Sequence, residues 1–183
     1  MELDLEEVPH SRDVTLVDAQ TKRPLYRITE FQLVMFKNKP MIVSRLSEVA
    51  EKEEDLAEIK RGWFGEYVTL ESDGVRLKAN KFFSVGAFQG HYSFTGPDGR
   101  TRYRWELGVQ GSKLTTDDQA RTLVAQYTEE RRNLLGLGVV KAPPRLVVMQ
   151  AGMDMVDMVV ITLAYIEKKR EEVKIATMAA VAS

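Results

Sequence analysis

Asp154 and Asp157 are the pair best spaced for chemistry in this sequence. Residues three apart share one face of a helix, so the two carboxylates can act together, as an acid/base pair or as a cation site. The spacing also has a plainer use. Carboxylates in a first helical turn are favoured by the helix dipole and can cap free backbone N–H groups. Arg100, Arg102 and Arg104 form a second constellation, and Arg76 with Lys78 a third. Alternate residues of a strand project from one face, and guanidinium groups grip phosphates through paired hydrogen bonds. The plainer reading is a solvated strand face, partly paired with Glu58 and Glu106.

Other chemistries have little to stand on. His10 and His91 have no metal-like partner at helical spacing. Gly108-Val109-Gln110-Gly111-Ser112-Lys113 lacks the spacing of a phosphate-binding loop. There is no Gly-x-Ser-x-Gly elbow and no cysteine, which removes the common nucleophile motifs, disulfides and thiolate zinc sites. No catalytic residue, metal or cofactor is expected. Trp63, Phe64, Phe82, Phe83 and Phe88 interleave with Lys60, Arg61 and Lys81. They suit a membrane-edge or ligand-mouth loop, or, more blandly, the closure of a barrel end.

The elements that position these residues follow from periodicity. From Met158 to Ile166 the chain is apolar on every side except at Thr162. A helix of that kind is buried, and the run is shorter than the roughly 20 residues of a membrane span. A buried C-terminal helix over 153–172 is predicted. Ahead of it lie short runs of period two separated by turns. The clearest is the hairpin on either side of Pro97-Asp98-Gly99, where proline presets φ and glycine takes the left-handed position. In its second arm Tyr103, Trp105 and Leu107 share one face and Arg102, Arg104 and Glu106 the other. Phe31–Phe36 and 137–140 also read as strands.

The chain has 183 residues, 44% of them hydrophobic, and a net charge of −1. That suits one domain with a real core and implies no bulk attraction to nucleic acid. The absence of cysteine fits a reducing cytoplasm. Residues 1–11 are acidic and read as a disordered tail, 12–172 as the domain, and 173–183 as a second tail.

Certain residues carry a resemblance. They are Tyr26-Arg27-Ile28, Leu56-Ala57-Glu58-Ile59-Lys60, the run from Asp98 to Gly108, Leu123-Val124-Ala125-Gln126-Tyr127 and the final helix through Lys168-Lys169-Arg170. Over about residues 12–172 the layout resembles the tubby-like superfamily of tubby C-terminal, LURP-one-related and scramblase-like domains. More narrowly, it looks like an uncharacterised domain family abundant in basidiomycete fungi. The resemblance implies a mostly β fold: a closed antiparallel barrel of about twelve strands around a buried hydrophobic C-terminal helix. It also implies a non-enzymatic, cytoplasmic or peripheral-membrane binding module. The expected ligand is a phosphoinositide or other anionic lipid, or a partner protein; the resemblance assigns no binding residues, and the candidates from the strand pattern are Arg100, Arg102, Arg104, Arg76 and Lys78. The alternative is a barrel that binds a hydrophobic small molecule, with Asp154 and Asp157 as acid groups at its mouth and catalysis left open.

Overall fold

Alternating apolar and polar residues build antiparallel strands, most of which turn an apolar face toward one helix. The structure, a computed structural model, describes residues 1–30, 39–47, 52–72, 74–86, 90–108, 110–129 and 143–181. The predicted strands at 31–36 and 137–140, and Phe88, lie outside the described residues.

The strands are β1 (Glu2–Glu7), β2 (Val14–Asp18), β3 (Pro24–Ile28), β4 (Met41–Leu46) and β5 (Glu53–Gly62). Next come β6 (Gly65–Leu70), β7 (Val75–Lys78), a short helix α1 (Ala79–Phe82) and β8 (Ser84–Val85). The rest are β9 (His91–Thr95), β10 (Arg102–Gly108), β11 (Gly111–Thr116), β12 (Leu123–Thr128) and β13 (Arg145–Val148). A 3-10 segment, Gln150–Met155, leads into α2 (Val156–Val181).

All thirteen strands form one sheet in the order β7-β6-β5-β4-β3-β2-β1-β13-β12-β11-β10-β9-β8. Strands consecutive in the chain are neighbours in the sheet, except that β7 and β8 stand at its opposite ends and β1 pairs with β13 as well as with β2. Three features differ from the sequence reading. The expected closed barrel of about twelve strands is a thirteen-stranded sheet. Its ends, β7 and β8, share no ladder among the described residues, and α1 packs between them. The supposed N-terminal tail contains β1, the middle strand of the sheet. Leu3 and Leu5 face the core, and buried Asp4 is held by Lys22 and Arg145, each at 2.7 Å. Finally, α2 begins later than predicted and continues through the supposed C-terminal tail to Val181.

The core helix is as apolar in space as in sequence. Val159 to Ile166 are all buried, against Leu16, Ile28, Val43, Ile59, Trp105, Leu114 and Leu146 from strands around the sheet. Trp105 is fully inaccessible, and its indole N–H donates to Thr162 Oγ1 at 3.0 Å. The one polar residue within the apolar run is thereby satisfied, as burial requires. β10 pairs without a bulge to both β9 and β11. Tyr103, Trp105 and Leu107 accordingly turn inward and Arg102, Arg104 and Glu106 outward, as period two demands.

Candidate functional site

The N-terminal end of α2 opens on a cavity of about 550 Å³. Its apolar floor comes from Met153, Met155, Met158 and Ile161 on the helical segment and Leu56 and Leu70 on the sheet. Its rim comes from the turns at that end of the sheet: Arg45 and Glu54 flank the β4–β5 connection, Glu71 and Ser72 follow β6, and Pro97 belongs to the β9–β10 hairpin. Five carboxylates, Glu54, Asp55, Glu71, Asp154 and Asp157, line the cavity with one guanidinium, that of Arg45.

Asp154 and Asp157 reach the same cavity but are not equivalent. Asp157, in the first turn of α2, accepts from the Tyr26 hydroxyl and from Arg45 Nη2, both at 2.8 Å. Burial, and then the Asp157 charge, push the Tyr26 phenol upward. With both oxygens of Asp157 engaged and the phenol proton firmly held, the trio positions α2 and is poorly arranged for proton transfer. Asp154 lies in the 3-10 segment and is exposed. Arg45 is shared between Asp157 and Glu54, the latter at 3.7 Å. Asp55 accepts from the Ser44 hydroxyl at 2.9 Å. Asp55, Glu71 and Asp154 have no cationic partner among the described residues. Their sum is a negative potential over an apolar floor, only partly offset by the roughly half-unit positive charge of a helix N-terminus.

The basic constellations lie elsewhere. Arg102 and Arg104 stand together on the outer face of β10, and Asp117 lies 2.5 Å from Arg104 and 3.9 Å from Arg102. Arg100 is exposed beside the hairpin turn. Arg76 lies over the Tyr67 ring at 4.3 Å, with Lys78 exposed beyond it on β7. The β7 pair and the β10 arginines therefore belong to strands near opposite ends of the sheet. No group of three or more His, Asp or Glu among the described residues is arranged to hold a metal. Gly108 pairs with Gly111 to close the β10–β11 hairpin, with a strand rather than a helix following.

The family of unknown function DUF6593 matches residues 9–172, most of the chain. The chain belongs to that family. Neither a curated protein nor a solved structure matches it. The DUF6593 match begins after β1, although β1 is the central strand.

The middle of α2 in this DUF6593 chain, just past the apolar run, holds charges that a sequence reading places in water. Glu167, Lys168 and Arg170 are buried. Glu66 on β6 forms ion pairs with Lys168 at 2.6 Å and Lys169 at 2.5 Å. Burial alone would raise Glu66, but the two ammonium groups hold it below the usual carboxylate range. Glu167 accepts from the Ser112 hydroxyl at 3.2 Å, and burial pushes its carboxyl up to about 7. Arg170 and Lys174 pair with Glu129 at the end of β12. No spacing rule links Glu66, Ser112 and Glu129 to the helix, so sequence reasoning missed the cluster. The cavity acids Glu54, Asp55 and Glu71 were missed too, because they come from separate turns.

Proposed function

We propose that this DUF6593 chain is a non-enzymatic binding module whose ligand is a small organic cation with an apolar body, seated at the N-terminal end of α2. The observation that carries the reading is the cavity itself. Its volume of about 550 Å³ falls within the roughly 300–1,000 Å³ of small-molecule sites. A methionine floor adapts to varied apolar shapes, and three carboxylates without cationic partners supply the charge that an ammonium group would meet. This develops the small-molecule alternative of the sequence reading, with Asp154 as a binding group and Asp157 as the anchor of α2. The headgroup reading on Arg100, Arg102, Arg104, Arg76 and Lys78 is less favoured. A phosphate at Arg102 and Arg104 would have to compete with Asp117. We also infer a tubby-like arrangement, with the sheet wrapping α2 as a barrel and α1 at its seam. The absence of cysteine supports a cytoplasmic setting.

Native mass spectrometry of the purified chain, followed by calorimetric titration with polyamines, alkylammonium ions and aromatic amines, tests the proposal. An amphipathic amine should bind, more weakly as salt rises. Asp154→Asn with Glu71→Gln should reduce its affinity about tenfold or more at unchanged melting temperature. If no amine binds at low salt, or the double variant binds equally well, the proposal fails. Phosphoinositide liposomes lost to Arg100→Gln, Arg102→Gln and Arg104→Gln would instead establish the headgroup reading.

A further inference from the structure

The tightest turn of the β5–β6 hairpin is made from the residues least suited to water. Trp63 and Phe64 occupy its two central positions, between Gly62 and Gly65, which pair across the ladder. Trp63 is 101% exposed and Phe64 84%, far above the other large apolar side chains described. Of the interleaved aromatics, Phe83 is buried in the core, whereas the hairpin pair is in solvent. Two-residue hairpin turns ordinarily take Asn, Asp or Gly, so the fold does not call for tryptophan and phenylalanine here.

The tip is also held in place. Gly65 has φ of +120°, a conformation L side chains rarely adopt, and a Cβ on Gly62 would meet the Tyr67 ring at 2.9 Å. The ladder runs back through Arg61↔Glu66 and Lys60↔Tyr67. Glu66 is clamped to α2 by Lys168 and Lys169. The aromatic pair is therefore a fixed projection from a hairpin anchored to the middle of α2.

We propose that this projection is a membrane-docking wedge that enters the interface of an anionic bilayer. Three observations favour a bilayer over a protein. Tryptophan and phenylalanine with adjacent basic residues form the side-chain set that settles at the lipid–water boundary. Behind the tip, Lys60 and Arg61 are exposed; Lys60 has only a 3.8 Å contact to Glu58, and Arg61 has no ion pair among the described residues. A stable protein interface covers roughly 800 Å² per partner, whereas two convex residues flanked by glycines offer much less, and a fluid bilayer needs no preformed complement. The last turns of α2 lie beyond Lys168 and Lys169 in the chain. They continue past Glu172 for about 14 Å with Val173, Ala176 and Ala180 exposed. No helix among the described residues is long and apolar enough to cross a membrane, so the wedge docks at the surface. It is tied to α2 at Lys168 and Lys169, beyond the apolar run, whereas the amine cavity is at the start of the helix, and it does not depend on that cavity.

The chain's own fluorescence provides the assay. It has two tryptophans, Trp63 and Trp105, and Trp105 is fully buried, so any change on adding vesicles reports on Trp63. Vesicles of phosphatidylcholine with about one third phosphatidylserine should blue-shift the emission and sediment the full chain at low salt. Trp63→Ser with Phe64→Ser should lower the partition coefficient at least tenfold while leaving the melting temperature unchanged. Lys60→Gln with Arg61→Gln should weaken binding to the anionic vesicles and leave binding to pure phosphatidylcholine as it was. No blue shift and no sedimentation with either composition would overturn the proposal. So would a serine double variant that binds as well as the wild type. A concentration-dependent oligomer abolished by the serine variant, without vesicle binding, would assign the tip to a second copy of the chain instead.

Discussion

Replacing Thr162 with valine asks whether α2 sits in the sheet at the depth and rotation described above. The Thr162 hydroxyl receives the Trp105 indole N–H at 3.0 Å and itself donates to the Met158 carbonyl at 2.7 Å. Both residues are fully inaccessible. Valine keeps the branched shape and removes the acceptor, leaving a buried indole N–H unpaired at a cost of about 1–3 kcal/mol. Against a total stability of roughly 5–15 kcal/mol, that is a large fraction. With a urea slope of about 2 kcal/mol/M, the unfolding midpoint should fall by about 1 M. Thr162→Ser should lose much less, because the acceptor remains. In a Trp105→Phe background the donor is already gone, so Thr162→Val should then cost little. The double-mutant cycle should show a coupling of about 1–2 kcal/mol. Urea unfolding followed by circular dichroism measures all four corners. Additivity within about 0.5 kcal/mol would refute the reasoning, since a helix turned by one residue, roughly 100°, would carry Thr162 away from β10.

Val160→Asp should abolish cooperative folding, because Val160 is fully buried and an unpaired interior charge costs several kcal/mol; a soluble variant with a sharp thermal transition would contradict this. Deleting residues 1–7 should prevent folding as well. It removes buried Leu3 and Leu5, at about 1.5–3 kcal/mol each, and leaves β2 and β13 with unpaired edges; native-like melting of the truncated chain would show that β1 is dispensable. Glu167 sets a pH dependence. Its carboxyl rises from an ordinary 4.5 to about 7 on folding, so its contribution is fully present below about pH 4.5 and is lost as pH rises through about 7. The shift corresponds to about 3 kcal/mol at most. Arg170 Nη1 at 3.6 Å and the Lys174 ammonium work against it, and Glu171 with it. The difference between wild type and Glu167→Gln, measured by urea unfolding from pH 4 to 8, should therefore change in favour of the glutamine variant as pH rises; parallel curves would rule the effect out.

Local pattern carried the parts of this fold whose physics is local. The apolar run after Asp157 has no polar face to offer water, so its burial was legible without knowing what surrounds it. The Pro97-Asp98-Gly99 turn and the alternation through Trp105 were legible for the same reason. β1 was not. Its alternation of acids with Leu3 and Leu5 is a strand pattern, but the acids suggested a solvated tail, and the groups that neutralise Asp4 lie 18 and 141 residues away. The end of the buried stretch of α2 misled in the same direction. Glu167, Lys168 and Arg170 look like a wet helix terminus until Glu66, Ser112 and Glu129 arrive from three strands. The cavity shows the limit most clearly. Asp154 and Asp157 could be picked out by spacing, whereas Glu54, Asp55 and Glu71 become neighbours of that pair only after the sheet has curled.

A helix buried along its middle leaves little room for ligands there, so recognition is confined to its two ends and the outer wall. The ends are chemically unlike. Where the buried stretch of α2 ends, around Glu167 to Arg170, the charges are enclosed, and each of Glu66, Glu129 and Glu167 has a cation or a hydroxyl within reach, as enclosure requires. At the N-terminal end Asp157 is tied down by Tyr26 and Arg45, which seats the helix, and Asp55 by the Ser44 hydroxyl. Asp55, Glu71 and Asp154 line the same cavity without a cationic partner among the described residues. The exposed Trp63–Phe64 tip likewise contributes nothing visible to the core. Features that oppose folding without local compensation tend to mark working surfaces. By that criterion the cavity rim and the hairpin tip are the surfaces to test first, ahead of the outward arginines, of which Arg104 and Arg76 already have partners within the chain.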